Sequence, residues 1–205
     1  KSEYIDIVEL LLSHQKIDIS IIGNNKKTAL HYACDRGSLE LVKLLLKKEK
    51  LDICAIDNCN KTLLHSACES GNIELVKFII KMDKIDINAK DNKKKTILHY
   101  ACESEDYELV KYLISLDIDV NAKDNDEKTI LQYLCQSGHL DIVRHISNIA
   151  EANFDVRDKK SRTLLHEACN FGNVDLVKFL VETGRIEVNA KDINGNTLLH
   201  ESYRN

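Results

Sequence analysis

The pattern Thr-x-Leu-His recurs along this chain at near-constant spacing, and that spacing constrains the fold more than any local propensity. It stands at Thr28-Ala-Leu-His31, Thr62-Leu-Leu-His65, Thr96-Ile-Leu-His99, Thr163-Leu-Leu-His166 and Thr197-Leu-Leu-His200. A variant, Thr129-Ile-Leu-Gln132, fills the one gap, and the Thr positions then step by 34, 34, 33, 34 and 34 residues. Ala-Cys follows at Ala33-Cys34, Ala67-Cys68, Ala101-Cys102 and Ala168-Cys169, with Leu134-Cys135 in the variant copy. A second apolar block comes next, as in Leu75-Val76-Lys77-Phe78-Ile79, and then a polar stretch such as Ile85-Asp86-Ile87-Asn88-Ala89. Physically, each unit reads as a short helix, a tight turn, a longer amphipathic helix and a polar hairpin loop. Gly37, Gly71, Gly138 and Gly172 fall at the turn between the two helices. One such unit cannot bury its own apolar face, but stacked units can, which makes the chain a quasi-one-dimensional array.

Composition narrows the function classes. The 29 basic residues set against 33 acidic ones leave a net charge of −4 over 205 residues, which excludes a generally basic nucleic-acid binder. No apolar run reaches the ~18–20 residues that cross a bilayer, so no membrane insertion is expected. The start, Lys1-Ser2-Glu3-Tyr4, has no apolar signal-peptide core, and the seven cysteines are an odd number. Both point to reduced thiols and an intracellular, cytoplasmic setting.

The frame Thr-x-Leu-His-x-Ala-Cys-x-x-Gly-x-x-Glu-Leu-Val-Lys-x-Leu resembles the ankyrin repeat, whose motif has a period near 33 residues. The resemblance covers the whole chain. It implies an all-α ankyrin-repeat solenoid of paired antiparallel helices with β-hairpin loops, forming a single domain over 1–205. The units would be a partial one at 1–22, repeats at 23–56, 57–90, 91–123, 124–157 and 158–191, and a partial one at 192–205. The family's proline is missing from every Thr-x-Leu-His, the glycine two residues before Thr survives only at Gly195, and Glu105 takes an inter-helix glycine position. Neither end reads as a polar cap, so a piece of a longer array is expected.

Scaffold readings account for most of the reactive side chains. Five histidines share one repeat position, and neighbouring copies would lie roughly 8–10 Å apart, too far to share one zinc ion. The resemblance implies instead that each Thr–His pair hydrogen-bonds within and between repeats. Gln132 keeps a hydrogen-bonding side chain but loses the ring, so its unit is expected to be the weakest interior one. Cys34, Cys68, Cys102, Cys135 and Cys169 form a ladder of small buried thiols, and the lone Cys54/Cys59 pair lacks further ligands for a metal. There is no phosphate loop, no metalloprotease helix and no nucleophile elbow. The expectation is therefore a chain that is not an enzyme, with no catalytic residues, no metal, no cofactor and no small-molecule substrate.

The resemblance places a binding surface on the hairpin tips and the exposed side of the first helices. On the tips, Lys27, Lys61, Lys95, Lys128 and Arg162 share one repeat position and form a cationic row, which doubles as a plain solubilising choice. On the helices, Asp35, Glu69 and Glu103 form an acidic row beside it, which argues against a track for nucleic acid. Tyr32, Tyr100, Tyr133 and Phe171 are the aromatic candidates, with Arg36, Gln136 and Asn170 nearby. Aromatics dominate interface hot spots because they bury much area at low entropy cost. The Tyr position could equally pack on its neighbouring hairpin. The leading expectation is a non-catalytic scaffold whose concave groove takes a protein partner. A spacer or self-associating segment, or the regulatory arm of a larger enzyme or ubiquitin-ligase component, are the alternatives.

Overall fold

The computed structural model describes residues 3–14, 16–48, 51–149 and 151–203. The outermost positions of the two partial units, Lys1, Ser2, Arg204 and Asn205, lie outside them. The chain falls into two compact units, Lys1–Leu109 and Val110–Asn205. The first contains α1 (Glu3–Ser13), α2 (Ala29–Asp35), α3 (Leu39–Leu46), α4 (Leu63–Glu69), α5 (Ile73–Lys81) and α6 (Ile97–Glu103). The boundary falls within α7 (Tyr107–Ile114). The second contains α8 (Ile130–Ser137), α9 (Leu140–Ser147), α10 (Leu164–Asn170), α11 (Val174–Glu182) and α12 (Leu198–Ser202).

Each first helix starts at the Thr of the repeated pattern, which sits in extended backbone as the N-cap. The cap is reciprocal. The His ring three residues on lies 2.9 Å from the Thr hydroxyl through Nδ1, in His31, His65, His99 and His166 alike. The same nitrogen accepts the Thr backbone N–H, at 3.1 Å in the Thr62–His65 pair. Nε2 then reaches into the next repeat, 3.3 Å from the Lys61, Lys95 and Asn196 carbonyl oxygens for His31, His65 and His166. A carbonyl can only accept, so Nε2 carries the hydrogen and Nδ1 is the acceptor. One neutral ring thus caps its own helix and ties down the following hairpin.

Gln132 reproduces both arms. Its Oε1 accepts the Thr129 N–H at 3.3 Å, and its Nε2 donates to the Arg162 carbonyl at 3.0 Å. What it loses is the hydroxyl contact, and Thr129 Oγ1 is buried without a hydrogen-bond partner. Leaving a buried hydroxyl unpaired costs ~1–3 kcal/mol, which is the physical ground for a weaker unit here.

The apolar residues of the pattern form the core. Leu30, Leu64, Leu98, Leu131 and Leu165 are all 0–1% exposed, and each such burial is worth ~1.5–3 kcal/mol. In the first unit α2 packs on α4 and α4 on α6, with α3 beside α5; in the second, α8 packs on α10 and α10 on α12. The second helices are amphipathic: in α5, Leu75, Val76 and Ile79 are buried while Glu74, Lys77 and Lys81 face solvent.

The loops differ from the expected β-hairpins. Among the described residues no strand forms. Each loop closes on two turn bonds, as from Asp57 N–H to the Lys61 carbonyl at 3.1 Å and from Asn60 N–H to the Asp57 carbonyl at 3.0 Å, which is too short for a ladder. Neighbouring tips are nonetheless joined: Asn58 and Asn92 donate to the Asn25 and Cys59 carbonyls at 2.8 Å, and Lys159 and Ile193 to those of Asp126 and Lys160.

Glu105 occupies the left-handed backbone, φ 59°, that Gly37, Gly71, Gly138 and Gly172 adopt at the same turn. A side chain there is strained by roughly 1–2 kcal/mol, part of which glycine returns as unfolded-state entropy. Glu105→Gly should therefore raise the urea midpoint, with a gain of about 1 kcal/mol in unfolding free energy.

The histidine bridges have a pH signature. Burial, against the opposing pull of the bridging carbonyl and the nearby aspartates, pushes the His31 and His65 pKa values below the ordinary 6.5. The unfolded chain then binds more protons, so the stability due to these neutral rings is complete above pH 6.5 and is lost as the pH falls below it. Urea midpoints should drop between about pH 7.5 and about pH 5.5. A His31→Gln/His65→Gln variant, built like Gln132, should drop much less; an equal drop in both proteins would refute the assignment.

Candidate functional site

The frame of the candidate surface is a row of aspartates that was not singled out from the sequence. Asp57, Asp91, Asp124, Asp158 and Asp192 are all buried at one repeat position. In each, Oδ1 accepts two backbone N–H groups of its own tip, from residues two and four further on. For Asp91 these are Lys93 and Lys95, both at 2.8 Å; for Asp124 they are Asp126 at 2.8 Å and Lys128 at 2.9 Å. A charged acceptor shared by two N–H groups makes the tip rigid. The signal was present in the sequence as a recurrence of Asp five residues before every capping Thr but the first.

The cationic and acidic rows meet. In the first unit Lys27 donates to Asp35 at 2.6 Å and Lys61 to Glu69 at 2.8 Å, and Lys95 pairs with Glu103 in the same way. Hairpin and first helix thus share one face in each of these repeats. Burial works against the Lys27 ammonium, yet its pKa is raised, because the hydrogen bond and charge of Asp35 outweigh that burial. In the second unit the pairing is different. Lys128 lies 3.3 Å and Arg162 3.9 Å from one oxygen of Glu167, and Arg162 lies 3.8 Å from Glu201. Gln136 donates to the other oxygen of Glu167 at 2.9 Å. Glu167, fully buried, is the centre of this cluster.

The four aromatics do not form one row. Tyr100 is buried: its hydroxyl donates to Asp91 at 2.7 Å, its ring meets His65 edge-on at 5.5 Å, and the Lys61 ammonium lies 4.2 Å from its centre. Burial, aided by the bond to Asp91, pushes its hydroxyl pKa up. Tyr133 repeats the bond, to Asp124 at 2.7 Å, and is half-buried. These two take the packing role that the sequence left open. Tyr32 is 49% exposed. The reason is local: Gly23 stands where the other repeats have Asp, so the Tyr32 hydroxyl meets no carboxylate on its own tip. With Tyr4 and Arg36 it lines a depression of about 340 Å³. Asn170, the last residue of α10, and Phe171 just after it lie elsewhere, in a cleft of about 970 Å³ with Val174 and Val181.

The four deeper members of the cysteine ladder are made inert by the same packing. Burial lifts the Cys34 thiol to about 12 and the Cys68, Cys102 and Cys135 thiols higher still. Cys54 and Cys59 are exposed, and Cys54 Sγ donates to the Lys84 carbonyl at 3.2 Å.

Comparison with known proteins follows the same lines. The family model described as ankyrin repeats (3 copies) matches residues 1–91, 85–158 and 131–205. Among solved structures, the chain is similar to one in the complex of Bd0816, a predatory endopeptidase from Bdellovibrio bacteriovorus, with immunity protein Bd3460. The TM-score is 0.76 at 25% identity, covering 87% of this chain and 92% of that one. No curated protein sequence matches.

The Asp–Tyr bond can be tested directly. Tyr100→Phe keeps the ring packing and removes the hydroxyl from Asp91, so unfolding free energy should fall by ~1–2 kcal/mol. Tyr32→Phe, with no such bond, should be close to neutral in the same denaturation series.

Proposed function

The chain belongs to the ankyrin-repeat family, and from that premise we propose that it is a non-catalytic module that binds a protein partner inside the cell. The partner would lie across the tips and first helices. The observation that carries the reading is the contrast between two kinds of repeat position. The Thr, His, Leu and Asp positions are nearly invariant along the chain and are spent on holding repeats together. The position three residues before Asp35, Glu69, Glu103, Gln136 and Asn170 changes instead, as Tyr32, Ser66, Tyr100, Tyr133 and Glu167, and of these Tyr32 is the one that stands largely in solvent. Such variation on a rigid frame suits recognition, because little ordering remains to be done on binding.

Within that surface the accessible contacts are Tyr32 and Arg36, the paired rows Lys27/Asp35, Lys61/Glu69 and Lys95/Glu103, and in the second unit Lys128, Arg162, Tyr133 and Gln136. These pairs are part-buried on the lysine side and more open on the acidic side, and ion pairs this near to solvent contribute only ~0–1 kcal/mol to stability, so a partner can exchange them at low cost. That makes Tyr32, the exposed aromatic, the leading anchor. The similar chain comes from a complex of an endopeptidase with an immunity protein, which supports a protein rather than a small molecule as the ligand. The free state of all seven cysteines suits a reducing compartment.

The test is to capture partners from lysate of the native cell, identify them, and measure affinity by calorimetry for wild type and Tyr32→Ala/Arg36→Ala. Loss of ~10-fold or more in affinity, with an unchanged melting curve, is expected of anchor residues. Unchanged affinity of the folded variant would move the site off this surface. Binding that collapses uniformly with added salt would point to a polyanion instead.

A further inference from the structure

Runs of two or more basic residues stand directly before a hydroxyl at three tips of this chain. Lys26-Lys27 precedes Thr28, Lys93-Lys94-Lys95 precedes Thr96, and Lys159-Lys160 precedes Ser161. Two of these hydroxyls are already spent. Thr28 and Thr96 are buried N-caps, and their hydroxyls lie 2.9 Å from the Nδ1 atoms of His31 and His99. Ser161 differs: it is part-exposed, and among the described residues nothing hydrogen-bonds its hydroxyl. Its backbone is held in the turn by the bond from its N–H to the Asp158 carbonyl at 2.8 Å.

The neighbouring repeat shows what this position can carry. Ser161 and Glu127 are the left-handed residues of successive tips, with φ 58° and 60°. Glu127 is an anion there, and its carboxylate pairs with Lys123, four residues earlier, at 3.6 Å. Arg157 takes the place of Lys123 in the tip of Ser161, and its Nη1 already donates to the Ser161 carbonyl at 3.5 Å. Its Nη2 reaches Glu187 in the following loop at 3.0 Å. Lys159 and Lys160 are exposed, and Arg162 is part-exposed. The carboxylate of this tip, Asp158, is buried and accepts the N–H groups of Lys160 and Arg162; Asp126 and Glu127 lie on the tip before it. Four cations thus surround one free hydroxyl at a position where a negative charge is accommodated one repeat away.

We propose that Ser161 is a phosphorylation site, modified by a serine kinase that reads basic residues before its acceptor. The Ser161 hydroxyl oxygen bonds to the γ-phosphorus of a nucleoside triphosphate, and the bond from that phosphorus to the β–γ bridging oxygen breaks. The nucleoside diphosphate leaves with the electron pair, and the hydroxyl proton passes to a base of the kinase. The phosphate brings a charge of about −1.5 to −2 and three strong acceptor oxygens. It recruits Arg157 as Glu127 recruits Lys123, and so draws the guanidinium from Glu187 and the following loop. The modification converts a cationic tip into one close to neutral.

Two measurements test this. In protein isolated from its native cell with phosphatases inhibited, peptide mapping should find phosphate on Ser161 and none on Thr28 or Thr96. An unmodified Ser161 in growing and stressed cells alike, or phosphate on the capping threonines instead, would overturn the assignment. On the phosphorylated full chain, phosphorus NMR should then report a second ionisation below the ordinary value of about 6, because a paired cation favours the dianion. Arg157→Gln should move it back toward that value, with circular dichroism unchanged because Arg157 lies on the surface. Identical titrations in the two proteins would refute the pairing with Arg157.

Discussion

The structure depends on one small interaction, an imidazole ring that cannot turn without breaking two repeats at once. Nδ1 of each capping His accepts from its own helix start, and Nε2 donates to a carbonyl thirty residues further along. Local structure and stacking are therefore the same event. A helix start cannot fray without releasing the next hairpin, and a hairpin cannot lift without uncapping the helix before it. This is how an array whose members touch only their neighbours obtains cooperativity from short helices of seven or eight residues. Gln132 shows which part of the ring matters most, because it keeps both ends of the bridge and gives up only the Thr hydroxyl.

The second layer of rigidity comes from charge held in the backbone. Each tip after the first wraps two N–H groups around a buried carboxylate, and backbone bonds join neighbouring tips, as from Asn92 to Cys59. Lysines on this frame are then presented at fixed spacing and meet the acidic side chains of the first helices. Such pairs add little stability, but they hold long side chains in place at the face where a partner would arrive. In the second unit the same geometry closes inward instead, around Glu167, because a carboxylate replaces the aromatic at that repeat position.

Much of this was legible in the chain. The period, the helix pairs, the capping Thr and the buried Leu follow from residues that recur at the same interval, and recurrence averages out the ambiguity of any single helix. The candidate surface was legible as a set of positions but not as a set of exposures. Tyr32, Tyr100 and Tyr133 share one repeat position, yet only Tyr32 stands largely in solvent. The distinction was written nine residues upstream, where Asp91 and Asp124 face the latter two and Gly23 faces the first. A reading by columns of similar residues misses it, because the deciding partner lies in a different column.

The sequence by itself determined the architecture: a strict period with one apolar helix face and one polar loop per unit leaves stacking as the only way to bury the apolar face. It also determined the pairing of charges, since each Lys of the tip precedes an acidic residue by a constant eight positions in the first unit. Only the tertiary structure decided which side chains of the repeat remain available. Exposure depends on what the adjacent hairpin and the adjacent helix offer, and those neighbours come from other repeats and other columns. The same Tyr that is sealed in Tyr100 is open in Tyr32, for no reason within its own pattern. Burial in a stacked array belongs to the pair of neighbours, not to the residue.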